Sequence, residues 1–227
     1  MKVLILAAGI GSRLGRSHPK ALTYLVDDKS IMSHQIEALS RYVDIEDIFV
    51  VVGYKKEMII QKFPELSFLY NEQYKTTNTS KSLLIGLNEL INGNDMIWLN
   101  GDVYFDHRVI GRIIDCDGTC MAVNKERVGE EEVKYKTNND GFVVEISKEV
   151  CKPEGESLGI HKILSNEVPI LLKYLSNCQD SDYFEKGLEL AIKSGLKVTA
   201  VDVSDFFCME IDFRKDLEIV NNIIKLN

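Results

Sequence analysis

Two kinds of hydrophobic periodicity alternate along the first hundred residues. Val3–Ala7 is an unbroken apolar run of the kind found in strands buried on both faces. Ser30 stands where a helix cap is wanted, and Ile31, Met32, Ile36, Leu39 and Val43 follow at helical spacing. Asp47–Gly53 predicts a second strand, Lys55–Phe63 a short helix stopped by Pro64, and Leu66–Tyr70 a third strand. Ser80–Ile91 predicts a helix that buries Leu83, Leu84, Leu87, Leu90 and Ile91, and Met96–Leu99 a fourth strand ending at Asn100-Gly101-Asp102. Strand and helix in alternation predict a Rossmann-like, three-layer α/β/α fold with a mixed, mainly parallel central sheet.

The second half changes character. Thr119–Asn124, Glu132–Lys136 and Phe142–Ile146 read as strands, the last two joined by the hairpin signal Asn139-Asp140-Gly141. Helices are expected near Glu167–Ser176 and Tyr183–Ser194, then a strand over Lys197–Val203 and a last helix near Phe213–Ile224. This half is expected to form a small antiparallel lobe grafted onto the sheet. No repeat, low-complexity tract or linker interrupts the pattern, so residues 1–227 are read as a single domain. Ligands of open α/β sheets sit beyond the carboxyl ends of the strands. That places Ala8–Lys20, Asn71–Lys81 and Asn100–Asp106 around one cleft.

Composition narrows the function. A net charge of −8 argues against a nucleic-acid surface, which shows as a basic excess. The apolar run in MKVLIL is too short for a signal peptide, and nothing approaches the roughly 20 apolar residues of a membrane span. A cytoplasmic protein without a membrane partner is expected. The odd, scattered set of five cysteines reads as reduced, packed thiols.

The chemistry is concentrated in Leu4–Leu22, LILAAGIGSRLGRSHPKAL. A dinucleotide loop needs G-x-G-x-x-G and an acid closing the second strand. Here Gly9, Gly11 and Gly15 are spaced G-x-G-x-x-x-G, and the strand ends in Gly53-Tyr54. A kinase-style G-K-[ST] is absent, since Gly15 precedes Arg16 and Ser17. What remains is a loop whose glycines let backbone N–H groups close around an anion, with Arg13 and Lys20 as fixed cations and Pro19 pinning the backbone between them.

The pattern L-A-A-G-x-G-x-R-L…P-K-x-L resembles the nucleoside-triphosphate transferases that activate sugar phosphates and related phosphate monoesters, and is most similar to the bacterial phosphocholine-type cytidylyltransferases. The resemblance implies one nucleotidyltransferase domain over 1–227. It implies that Leu6, Ala7, Ala8 and Gly9 meet the nucleoside, that Gly11, Ser12, Arg13 and Lys20 meet the phosphates, and that Arg13 and Lys20 are catalytic.

Such transfers need positioning and cations, and Mg²⁺ favours one or two carboxylates plus phosphate oxygens. Asp102, just past a strand beside Gly101, and Asp212, in Glu210-Ile211-Asp212, are the expected metal ligands, as the resemblance also implies; a turn residue and a helix cap are their plainer readings. Asp115-Cys116-Asp117 is a D-x-D pattern read as a turn, and a glycosyltransferase is the reading that would use it. Asn78, Thr79, Ser82 and Gly101 complete the expected nucleotide site, and Thr77–Ser82 resembles the phosphocholine-type version of the family's base-recognising segment, which implies CTP over UTP, dTTP or GTP.

Lys125, Arg127, Lys134 and Lys148 are candidates for the acceptor phosphate, with Lys125 and Lys148 preferred. Gly155–Gly159 resembles an acceptor-binding segment, which points to Glu156. A quaternary ammonium would want an aromatic cage, for which Phe206, Phe207, Tyr104 and Tyr135 are the available rings. Trp98, inside a strand, reads as core, and Glu130-Glu131-Glu132 as a solvated run that can meet an amine.

The expected reaction is Mg²⁺-dependent transfer of CMP from CTP to phosphocholine, a phosphorylated amino acid or amino alcohol, or a phosphonate. A sugar-1-phosphate nucleotidyltransferase and a catalytically silent nucleotide-binding regulator are the alternatives. A homodimer is among the expected assemblies, and the resemblance implies surface polysaccharide biosynthesis as the setting.

Overall fold

A computed structural model of the chain describes residues 1–11, 14–15, 17–126, 128–129 and 132–226. The first strand, β1 (Lys2–Ala7), pairs in parallel with β2 (Ile48–Val52) on one side and β4 (Met96–Asn100) on the other; β3 (Ser67–Tyr70) extends the sheet beyond β2. Its alternation sorts the core. Val3, Ile5 and Ala7 face one side, and Leu4, Leu6 and Ala8 face the other.

Helices cover both faces. The first apolar layer is closed by α1 (Ile31–Leu39) and α4 (Arg108–Asp115), through Met32, Leu39, Val109 and Ile113. The second is closed by α3 (Thr79–Leu90), α5 (Val168–Ser176) and α6 (Phe184–Lys193), through Leu83, Leu87, Leu171, Leu175 and Leu188. The α1 helix begins as expected, with Ser30 Oγ accepting from Ser33 N at 3.2 Å, but it ends at Leu39, and Val43 packs from the following turn. A small third cluster seats α7 (Arg214–Leu226) against Leu25 and Ile31.

The second half carries the expected small antiparallel element, a hairpin grafted onto the sheet, while its other strands extend the main sheet. Strands β6 (Cys120–Asn124) and β10 (Thr199–Asp202) are parallel to each other and continue the main sheet. They are joined to it by β9 (Gly155–Ile163), which runs antiparallel to both β4 and β6. This nine-residue strand is buried throughout, yet it was hidden in the sequence because its buried side chains include Glu156, Ser157, His161 and Lys162. The hairpin of β7 (Lys134–Thr137) and β8 (Val143–Ser147) is joined to the start of β9 through Tyr135↔Gly155 and buries Tyr135, Val143 and Ile146 in the second core layer. Its turn is organised by Asn138, whose side-chain oxygen accepts from Asp140 N and Phe142 N, each at 3.0 Å.

Two further strands escaped the hydrophobic pattern, β5 (Val103–Phe105) and β11 (Cys208–Glu210). They form an antiparallel ribbon in the register Glu210↔Val103. The D-x-D segment caps the end of α4, where Lys162 Nζ donates to the carbonyls of Ile114 and Cys116. Among the described residues no helix is long and apolar enough to cross a membrane.

Trp98 is core, as expected. It stacks on His161 with ring centroids 4.8 Å apart and planes 5° from parallel, while Phe184 meets both edge-on. Neither His161 nitrogen has a hydrogen-bond partner, and burial holds the imidazole near pKa 3 against an ordinary 6.5. A depressed histidine pKa favours the fold above pH 6.5, where both states are neutral. Stability is then lost as the pH falls toward 3, because only the unfolded chain takes up the proton. At pH 5 the loss is about 2 kcal/mol. His161→Phe is expected to remove that much of the difference between urea midpoint stabilities at pH 7 and pH 5. An unchanged difference would show that His161 is not its source.

Candidate active site

The β5–β11 ribbon brings together residues more than a hundred positions apart. Ile211 N donates to Asp102 O at 3.0 Å, which lays the end of β11 against the turn after β4. That turn is held from beneath by Gln35, whose side-chain amide donates to Asn100 O at 2.9 Å and Val103 O at 2.8 Å. Gly101 N donates to Leu6 O at 2.9 Å. A Cβ at Gly101 would lie 2.9 Å from that carbonyl oxygen, so this glycine serves the packing of the turn on β1.

Lys20 reaches the same point from a short 3-10 turn over Lys20–Leu22. Its ammonium lies 2.6 Å from Asp102 Oδ2 and 2.5 Å from Asp212 Oδ1. Burial pulls the ammonium toward the neutral form, but the two carboxylates outweigh burial and hold its pKa above the ordinary lysine value. Gly11, at φ +64°, permits the loop to lie on Lys20: a Cβ there would sit 2.8 Å from Lys20 Cβ. Beside the pair, Asn100 Nδ2 donates to Glu210 Oε1 at 2.8 Å. Burial, reinforced by the charge of Asp102, pushes the Glu210 carboxyl well above the usual carboxylate range.

These groups border a cleft of about 410 Å³ at the carboxyl ends of β1 and β4, where the sheet topology predicts it. Leu6, Ala7, Gly9, Gly11, Gly101 and Lys20 face it. Ala8 is turned into the core, with its carbonyl accepting from Tyr54 N at 3.0 Å. Ser12 and Arg13 lie outside the described residues, as do Arg127, Glu130 and Glu131.

The expected base-reading residues are tied to their neighbours. Asn78 and Thr79 line the cleft, but Asn78 caps α3 through Thr79 N at 2.8 Å and donates to Ser181 O at 3.2 Å. Thr79 Oγ1 accepts from Phe184 N at 3.0 Å, and Ser82 Oγ accepts from Asn71 Nδ2 at 3.1 Å. With Asn78 N donating to Asp180 O and Lys81 Nζ to Cys178 O, these bonds fasten the start of α3 to the loop between α5 and α6. That loop carries Tyr183, and the first turn of α6 carries Glu185, into the cleft.

The acceptor candidates separate. Lys148 faces the cleft. Lys125 does not; its ammonium stands 3.7 Å from Asp202 at the β6–β10 side. Glu156 accepts from Gly129 N at 2.8 Å and lines a smaller neighbouring cavity of about 160 Å³. Lys134 Nζ donates to the Lys148 carbonyl at 3.1 Å.

The expected aromatic cage is dispersed. Tyr135 is fully buried, Tyr104 and Phe207 pack together with His34, and Phe206 lies under Arg108 and Arg112. Residues the sequence did not single out take the far wall instead, among them Tyr74, Ser157, Tyr183 and Glu185. Glu185 lay inside the expected helix Tyr183–Ser194 with no role assigned, and Ser157 inside the segment Gly155–Gly159, where Glu156 was the residue singled out. Burial holds the Glu185 carboxyl up at about 7, with the charge of Lys148 acting weakly against it.

The model of the MobA-like NTP transferase domain matches residues 3–166, which include the glycine loop, Lys20 and Asp102. The chain belongs to that family. Within this family of NTP transferases, it is 26% identical to the bifunctional protein GlmU of Methanococcus maripaludis strain C7 over 215 residues, 91% of this chain and 50% of that one. It is 37% identical to the choline-phosphate cytidylyltransferase of Streptococcus pneumoniae strain R6 over 97 residues, 40% of this chain and 42% of that one. The CTP:phosphocholine cytidylyltransferase LicC of Streptococcus pneumoniae has the same fold, with a TM-score of 0.78 over 98% of each chain at 22% identity. The chain spans about half the length of the curated relatives it matches.

The tie between α3 and α6 is testable. Asn78→Ala removes both a helix cap and the bond to Ser181, and is expected to lower stability by about 1–2 kcal/mol in urea unfolding. A change within about 0.5 kcal/mol, the range of ordinary surface substitutions, would mean that the loop is held by other contacts.

Proposed function

We propose that this chain is a Mg²⁺-dependent nucleotidyltransferase, and a cytidylyltransferase in particular. It would transfer CMP from CTP to a small phosphate monoester such as phosphocholine, a phosphorylated amino acid or amino alcohol, or to a phosphonate. The observation that carries this reading is Lys20, held protonated between Asp102 and Asp212 at the mouth of the glycine loop. An oxygen of the acceptor phosphate attacks the α-phosphorus of CTP. The new P–O bond forms as the bond from the α-phosphorus to the bridging oxygen breaks, and pyrophosphate leaves with the electron pair. Lys20 offers a fixed positive charge to that departing anion, and Arg13 is assigned the same task from the loop.

The residues fit a magnesium ion. Asp102 Oδ1 is buried without a hydrogen-bond partner, and Mg²⁺ is ordinarily held by one or two carboxylates together with phosphate oxygens and waters. Among the described residues no larger cluster of His, Cys, Asp and Glu suits a metal. Asp102 and Asp212 would therefore hold the ion, which supplies Lewis-acid charge to the phosphate oxygens when bound.

Preference for CTP rests on the cytidylyltransferases among the relatives and on the form of Thr77–Ser82. The sugar-phosphate reading is supported by the GlmU relatives. Pyrophosphate release is the deciding measurement, with CTP, UTP, dTTP and GTP each paired with phosphocholine, 2-aminoethyl phosphate and sugar 1-phosphates. CTP with an amino-alcohol phosphate is the expected pair. Lys20→Ala is expected to lower kcat a hundredfold or more, about 3 kcal/mol of barrier. Full turnover in Lys20→Ala would remove Lys20 from the mechanism.

A further inference from the structure

The far wall of the cleft, away from Lys20, is rich in carboxylates. Glu132 and Glu185 line it with Lys148 as the cation among the described residues. Glu185 is the informative one. It is 9% exposed, and no described lysine or arginine stands within 4 Å of its carboxylate. It is locked in place by the α3–α6 tie, since Phe184 N, the amide next to it, donates to Thr79 Oγ1.

Ser157 provides an independent observation. It is 6% exposed, its hydroxyl oxygen is buried with no hydrogen-bond partner, and it lines the same cleft. An unpaired buried hydroxyl costs stability, so it marks a place where a ligand group can complete the bond.

The aromatic side of the wall points the same way. Of the cleft's two tyrosines, Tyr183 already carries the Lys148 ammonium over its ring at 5.4 Å, and the other candidate rings are buried or covered elsewhere. A quaternary ammonium, which has no N–H to donate and relies on ring faces, would leave both Ser157 and the Glu185 carboxylate without a directed bond. A protonated primary amine has three N–H donors and can serve both.

We propose that the acceptor side of this cleft selects a phosphate monoester bearing a protonated primary amine, with Glu185 receiving the ammonium and Ser157 accepting one of its N–H groups. The inference rests on the nucleotidyltransferase reading above and narrows its acceptor. Lys148, beside Glu185, then faces the phosphate end of the same zwitterion. A site built to bond an N–H discriminates strongly against an analogue that lacks it.

The test compares 2-aminoethyl phosphate with 2-hydroxyethyl phosphate, its neutral-headed isostere, and with phosphocholine, by pyrophosphate release with CTP and Mg²⁺. Wild-type protein is expected to use 2-aminoethyl phosphate at least tenfold more efficiently than either. Glu185→Gln should erase that preference by raising KM for the amine while kcat and the KM for CTP hold, and Ser157→Ala should weaken it. Equal use of the three acceptors, or a preference untouched in Glu185→Gln, overturns the inference and leaves the nucleotidyltransferase reading standing. The wild-type comparison decides even if a variant fails to fold. If no nucleotide–acceptor pair releases pyrophosphate, the parent reading fails. Calorimetric titration of 2-aminoethyl phosphate into the wild-type protein and Glu185→Gln then decides separately. Binding lost in the variant supports the site, and no binding to wild type overturns it.

Discussion

One ammonium group joins three parts of the chain that lie far apart in sequence. Lys20 follows the glycine loop after β1, Asp102 sits in the turn after β4, and Asp212 follows β11. Two carboxylates this close to one another would repel, and the lysine between them turns that repulsion into a clamp. The arrangement depends on neutral supports. Gln35 bonds the backbone on both sides of Asp102, and Ile211 N holds the two strands of the ribbon together at the clamp. The charge needed by a phosphate chemistry is thus created by backbone geometry first and by side chains second.

The cleft has a second organising device on its opposite wall. The segment that opens α3 and the segment that opens α6 share bonds through Asn78, Thr79 and Lys81, so neither can shift without the other. The first segment is where a nucleotide base is expected and the second carries Tyr183 and Glu185. Side chains expected beside the base also fasten the starts of α3 and α6 to one another. Asn78 illustrates the point, because its amide oxygen caps a helix while its amide nitrogen holds Ser181.

How much of this was legible in the sequence depended on whether a residue's neighbours were local. The alternating first half, the Ser30 cap and the hairpin are local patterns, and each appears where its period or turn chemistry puts it. Lys20 and Asp102 could be found because a glycine loop and a Gly-Asp turn at strand ends are themselves local signals. β9 was not legible, because Glu156, Ser157, His161 and Lys162 interrupt its apolar side chains, and the partner of a residue such as Lys162 lies far away, at the end of α4. β5 and β11 were too short to show a period, and they exist because they pair with each other. Lys125 was a candidate phosphate ligand by its neighbours in sequence, yet in the fold its ammonium stands 3.7 Å from Asp202 on the adjacent strand.

Glu185 shows what such non-local placement does to chemistry. A carboxylate in the first turn of a helix is ordinarily a solvated residue that complements the helix dipole, and nothing in FEKGLELAIK distinguishes it from that role. Packing α6 against α3 and α5 buries it instead, and the buried carboxyl is then held near 7. The same fold leaves Ser157 on a buried strand with an unanswered hydroxyl. Desolvated groups of this kind bind poorly to water and strongly to a donor that matches them, and both are placed by long-range packing, Glu185 by that of α6 and Ser157 by β9, the strand that sequence periodicity concealed.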